Sequence, residues 1–215
     1  MQLLLATRNK HKLKELGGLL HDLQLEVISA ADLPNLPGVV EDGATIRDNA
    51  VKKAVQTARM AKKLTLADDT GLEVDALKGE PGVHSARFAG EEATYHENNK
   101  KLLRMLEGVA YDKRSARFRC VMAIADENGL YECVEGICNG TIIEAERGGG
   151  GFGYDPLFLA DGQTKTFAEI SPEVKNRISH RALAMQKAWA MLSRYLREKS
   201  GSGEPSAPPP RRERK

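Results

Sequence analysis

The sequence predicts an α/β fold built on a mixed sheet, and three observations carry that prediction. Short apolar runs alternate with stretches in which leucine, valine and alanine recur every three or four residues, the pattern of strands followed by helices. Residues 114–143 form two alternating stretches around Asn128-Gly129, which reads as a long antiparallel hairpin. Polar clusters follow several apolar runs, at the strand ends where such folds place a ligand.

Taken in order, Gln2–Ala6 reads as a buried strand, and the polar turn Thr7-Arg8-Asn9 leads into a helix over 10–23. In that helix Leu13, Leu16, Leu19, Leu20 and Leu23 recur at helical spacing. Leu25–Ser29 is a second strand, followed by a proline-bearing loop. A helix over 45–63 gathers Ile46, Ala50, Val51, Ala54, Val55 and Ala58 on one side. Leu64–Ala67 is a short strand ending in an acidic turn, Asp68-Asp69-Thr70-Gly71. Residues 75–90 read as loop, punctuated by Gly79, Pro81, Gly82 and Gly90. Glu91–Leu106 is a third helix. In the hairpin, Ala116, Phe118, Cys120, Met122 and Ile124 share one face, and Leu130–Ile143 is the return strand. A further strand lies near Leu157–Leu159, and a final helix spans 179–199.

The chain has 215 residues, 41% of them hydrophobic and only 5% aromatic, which fits a single domain over 1–199 with a mostly aliphatic core. Residues 200–215 hold four prolines and no large apolar side chain, so they are expected to form a disordered basic tail. That tail carries the whole net charge of +2, and the body before it is neutral. A neutral body argues against a general nucleic-acid or polybasic membrane binder. No apolar stretch is long enough to cross a bilayer, and the short apolar start is too brief for a signal peptide. Cys120, Cys133 and Cys138 lack metal or disulfide spacing and read as reduced thiols, consistent with a cytoplasmic protein.

Each polar cluster is open to a chemical and a structural reading. Thr7 to Lys12 is a strand-to-helix turn that could offer backbone amides and the Lys12 charge to a phosphate, or simply cap a helix. Glu41-Asp42-Gly43 precedes Asn49, Ala50 and Lys53 on the second helix. Adjacent Asp68 and Asp69 on a tight turn repel, which a divalent cation would relieve; a solvated Asx turn is the alternative. The glycine loop 148–153 lacks the pattern of a Walker loop, and Phe152 beside it either stacks on a flat ring or packs in the core. Ser179 can cap the last helix, placing His180 and Arg181 in its first turn against the macrodipole, which an acceptor-rich ligand would explain.

In order and at this spacing, the clusters resemble the noncanonical purine nucleoside triphosphate pyrophosphatases, also called inosine triphosphate pyrophosphatases. The stretches that carry the resemblance are 7–15, 41–43 with Asn49-Ala50, 67–77, 81–90, 152–158 and Ser179-His180-Arg181. The resemblance implies an elongated mixed central sheet flanked by helices, with two lobes and a nucleotide cleft between them. It also implies a homodimer that hydrolyses ITP, dITP and XTP to the monophosphate and pyrophosphate with magnesium. Carried onto this chain, Thr7, Arg8, Asn9, Lys10, His11, Lys12 and Lys53 would hold the triphosphate. Glu41 and Asp69 would bind magnesium, Asp69 would serve as base for the attacking water, and Thr70 would contact phosphate where the family usually has serine. Phe152, Gly153, Tyr154, Asp155, Lys175, Ser179, His180 and Arg181 would form the base pocket. Arg8 departs from the glycine common at its position and would either crowd the phosphates or point outward. Two alternatives accompany this reading: a Maf-type pyrophosphatase acting on modified pyrimidine or 7-methylguanine triphosphates, and a non-catalytic nucleotide sensor.

Overall fold

β1 (Gln2–Leu5) lies between β2 (Glu26–Ser29) and β3 (Leu64–Val74) and runs parallel to both. β3 pairs antiparallel with β4 (Ser115–Asp126), β4 with β5 (Gly129–Ile142), and β5 with β6 (Phe158–Ala160), completing one six-stranded mixed sheet. The helices are α1 (Lys10–Leu20), α2 (Ile46–Ala61), α3 (Tyr95–Met105), α4 (Pro172–Ile178) and α5 (His180–Ser200). These positions come from a computed structural model that describes residues 2–20 and 25–200. The expected continuation of α1 to Leu23 and the tail from 201 onward lie outside the described residues.

Two regions of apolar packing share the long strands. At one end Leu64 and Leu66 of β3, with Met122 and Ile124 of β4, pack against Leu16 and Leu20 of α1 and Ala188 and Leu192 of α5. Each fully buried leucine contributes about 1.5–3 kcal/mol by leaving water. The other face of the same strands, through Ala67, Val121, Ala123 and Ala125, meets Ala50, Ala54 and Ala58 of α2. Small side chains on both surfaces let α2 lie close, so a leucine at the fully buried Ala54 would overpack the contact at a cost of about 1–3 kcal/mol. At the other end Leu72 and Val74 of β3 join Phe118, Ile142, Phe158 and Leu102 in a second, more aromatic core. Between the two cores β3 carries only Asp68, Asp69, Thr70 and Gly71.

This corrects the expected acidic turn. β3 pairs with β4 without interruption from Thr65 to Val74, with Asp68 opposite Met122 and Asp69 opposite Val121. Leu72 and Val74 resume the buried pattern beyond the polar residues, so ladder hydrogen bonds carry the strand through them. Adjacent strand residues point to opposite faces, which separates the two carboxylates that a turn would have crowded.

Other boundaries move for local reasons. α3 starts at Tyr95 because Thr94 and Glu97 form a reciprocal capping box. Residues 75–90 hold two short 3₁₀ segments, Asp75–Leu77 and Gly82–Arg87. α4 lies where the sequence reading places no helix, although Ser171 caps it and Pro172 occupies its first turn, a legible start signal. Gly136 on β5 lets that strand approach the start of α5, since a Cβ there would lie 2.2 Å from both His180 O and Ala184 N. That contact fixes where His180 and Arg181 enter the site.

Candidate active site

A cleft of about 380 Å³ opens where β3 crosses from one core to the other. Asp69 and Thr70 lie on its wall, with Thr7, Arg8, Asn9 and Lys12 from the β1–α1 connection and Glu41 and Lys53 from the α2 side. Phe152, Gly153, Tyr154 and Asp155 reach it from the glycine-rich loop, and Lys175, His180 and Arg181 from α4 and α5. Lys10 and Ser179 do not line it. Lys10 is exposed, and Ser179 is buried with its hydroxyl accepting from Ala182 N at 3.2 Å, the helix cap expected of it. His11 stands on the outer rim, stacked on Phe152 with ring centroids 5.2 Å apart.

The turn after β1 is capped from within. Asn9 Oδ1 accepts from the His11 and Lys12 amides at 2.9 and 3.3 Å, and Thr7 Oγ1 accepts from Asn9 N at 3.2 Å. Asn9 thus uses two amides that sequence reasoning offered to an anion, leaving the Lys12 side chain as the principal charge of this turn. Arg8 is exposed at the mouth of the cleft, where its guanidinium donates to Leu36 O.

The strand alternation assigns the two aspartates different partners. Asp68 is 2 % exposed and pairs with Lys12 at 2.9 Å and with Arg181 Nε at 3.5 Å. Burial opposes its ionisation, but Lys12, Arg181 and Lys53 prevail and hold it well below the usual carboxylate range. Asp69 is 7 % exposed, and its carboxylate has no hydrogen bond or ion pair among the described residues. Burial raises its pKa, with Glu41 and Asp68 adding to the rise and Lys53 and Lys12 opposing it. Lys53 pairs with Glu41 at 2.7 Å, and its own pKa is raised because Asp68, Glu41 and Asp69 outweigh its burial.

At the other end an ion network runs through the floor. Glu15 of α1 accepts from Lys175 at 2.7 Å and also pairs with Arg181, while Lys175 pairs in addition with Asp155. Asp155 accepts from Phe152 N at 2.8 Å, and Gly151 makes room, since a Cβ there would meet Asp155 Oδ2 at 2.1 Å. Lys175 and Arg181 lie over the Phe152 ring at 5.0 and 5.6 Å. The Thr70 hydroxyl accepts from Arg181 Nη2 at 3.2 Å and lies 3.4 Å from Asp68 Oδ2, so it is already engaged on the protein side.

Two base-pocket expectations change. The charge of Arg181 at the helix start is met by Glu15 and Asp68, so no ligand is needed to explain it. His180 stacks on Phe118 at 4.5 Å, and burial, reinforced by Arg181 and Lys175, drives its pKa well below the usual value. It is neutral at pH 7, not a cation. Tyr154 lines the cleft as expected, and its hydroxyl donates to Ser85 O at 2.9 Å, which braces the loop. Sequence reasoning assigns no site role to Glu15, Tyr95 or Phe118, and it places Asp68 only beside Asp69, their repulsion relieved by a cation or by solvent, whereas Lys12 and Arg181 neutralise it. Glu15 had a signal, since it lies one helical turn from Lys12; Phe118 had none apart from its alternation in the hairpin.

Glu41 and Asp69 fit a hard divalent cation. They are oxygen donors lining one cleft, the nearby Glu41 charge helps raise the Asp69 pKa, and the Asp69 carboxylate has no hydrogen bond or ion pair among the described residues. Among the described residues no cluster of three or more His, Cys, Asp or Glu could hold a metal alone, so phosphate or water oxygens would complete the shell.

A model of the Ham1 family matches residues 3–191. The dITP/XTP pyrophosphatase of Desulforamulus reducens is 54% identical over 194 residues, covering 90% of this chain and 96% of that protein. The dITP/XTP pyrophosphatase of Geobacillus kaustophilus is 48% identical over 186 residues, covering 86% and 91% respectively. Among solved structures, a HAM1 protein from Coxiella burnetii superposes with a TM-score of 0.82 at 38% identity, covering 90% of this chain and 99% of that one.

Proposed function

The chain belongs to the Ham1 family, and we propose from that premise that it hydrolyses dITP, ITP and XTP to the nucleoside monophosphate and pyrophosphate, clearing them from the nucleotide pool. The observation that carries this reading is the single cleft that joins Lys12 and Lys53 to an unpaired Asp69 at one end and the Phe152 loop to a rigid ion network at the other. The Maf-type and sensor alternatives are set aside, because the relatives compared are dITP/XTP pyrophosphatases.

In this mechanism Lys12 and Lys53 exchange their carboxylate partners for phosphate oxygens and neutralise the departing pyrophosphate. Asp69 accepts the proton of the attacking water, a role open to a carboxylate that lines the cleft with no hydrogen bond or ion pair among the described residues. Glu41 and Asp69 would hold magnesium, which would supply Lewis-acid polarisation of the phosphates. Phe152 would stack on the purine in the place His11 holds, and Arg181 and the neutral His180 would offer donors to its 6-oxygen. Adenine carries an amino donor at that position and would leave those donors unpaired, which is costly in a buried site.

The deciding experiment is a substrate panel scored by product. Purified protein should release pyrophosphate, not orthophosphate, from dITP and XTP far faster than from dATP or dGTP; equal rates on all four would overturn the selectivity. Omitting magnesium should stop turnover. No helix of the described residues is long and apolar enough to cross a membrane, and a cytoplasmic site of action suits a nucleotide-pool substrate. The homodimer is likewise proposed: the protein should sediment at twice the mass of one chain, and a monomer would overturn it.

A further inference from the structure

We propose that Arg8 and Arg87 are positioning residues that clip the Glu41-bearing loop against the body of the protein from two sides. Residues 33–45 contain no helix or strand, and residues 37–44 make no backbone-to-backbone hydrogen bond among the described residues. The loop is largely exposed, with Val40 at 69%. A backbone without a ladder is placed by whatever side chains grip it. On the α2 side, Asn49 Oδ1 accepts from Gly43 N at 2.7 Å, Lys52 pairs with Asp42, and Lys53 pairs with Glu41. The remaining grips come from elsewhere in the fold. Arg8, in the β1–α1 connection, donates to Leu36 O with its guanidinium beside Gly38. Arg87, at the end of the 82–87 segment, donates to Glu41 O at 3.3 Å and pairs with Glu91 at 3.5 Å.

Arg87 therefore holds the backbone of the very residue whose carboxylate faces Lys53 and Asp69. Arg8 holds the loop five residues earlier, at the lip of the cleft. A guanidinium suits both tasks, because it keeps its charge and its donors at any physiological pH. This gives Arg8 a role other than phosphate binding and explains how arginine is accommodated there. The inference rests on the proposed use of Glu41 toward magnesium.

The test compares Arg87→Ala, Arg87→Lys, Arg8→Ala and Glu41→Gln by two measurements. The first is the magnesium concentration giving half-maximal pyrophosphate release from dITP. The second is the rate at which a glutamate-specific protease cuts the nucleotide-free protein at Glu41. Arg87→Ala should raise the magnesium requirement about 10-fold, the low end for a residue that supports a metal ligand. Arg87→Lys should restore part of that loss, and both alanine variants should be cut faster at Glu41. Arg8 is exposed, so Arg8→Ala reports on the loop even if Arg87→Ala folds poorly. A normal magnesium requirement in Arg87→Ala, while that of Glu41→Gln is shifted, overturns the clip alone. Unchanged cutting in both alanine variants also overturns it. A normal requirement in Glu41→Gln overturns the metal assignment, and the inference with it.

Discussion

At one end of the cleft Lys12 and Lys53 each hold one carboxylate, whereas at the other Lys175 and Arg181 share Glu15 and are pinned further by Asp155 and Asp68. The difference separates two jobs. A cation with one partner can trade it for a phosphate, and Asp69 beside it keeps a carboxylate free for chemistry. A guanidinium and an ammonium held from several directions cannot reorganise, so the purine end is set in folding and keeps its shape. One end is reactive, and the other is structural as well as selective.

The largest effect should come from breaking the reactive end. Asp69→Asn should lower kcat for dITP by on the order of 10³-fold, within the usual contribution of a positioned base, with KM little changed. Pyrophosphate release measures it, and near-normal turnover would remove Asp69 from its role. At the junction of the two ends, Asp68→Ala leaves Lys12 and Arg181 without a shared buried partner. It should cost about 3–5 kcal/mol in urea denaturation; a loss no larger than that of Lys12→Ala would mean that the two ends do not differ as described.

The purine end also predicts a pH dependence of stability. His180 is neutral in the fold because its pKa lies well below the usual value, whereas in the unfolded chain it takes up a proton near pH 6.5. Below that pH the unfolded state binds more protons, so stability falls as pH falls. The slope approaches about 1.4 kcal/mol per pH unit from this residue. His180→Phe should flatten that part of the curve, and an unchanged slope would show that another group is responsible. The smallest effect is Tyr154→Phe. Loss of the hydroxyl bond to Ser85 O should cost about 0.5–1.5 kcal/mol in urea denaturation. Full stability would show that this brace on the Phe152 loop is unimportant.

Much of the fold was legible because the signals were local. The Asn128-Gly129 hairpin, the α2 alanine stripe and the Ser179 cap each depend on neighbours close in sequence. Periodicity over a short run stops at the first polar residue, so it ends β3 at Ala67 rather than Val74. Only pairing with β4 shows that the strand continues through Asp68 and Asp69. In the site, residues were legible as types but not as partners. Arg181 looked like an uncompensated charge because Glu15 stands 166 positions away.

The sequence by itself determined which residue types gather at the strand ends, the alternation of the hairpin and the aliphatic character of the core. These follow from propensity, spacing and composition. Tertiary structure alone decided which charges neutralise one another, that His180 is buried and neutral, and that Asp69 stands without a partner while Asp68 is doubly paired. The reason is physical: charge state and reactivity depend on burial and on groups within a few ångströms, and residues far apart in the chain become neighbours only in the fold.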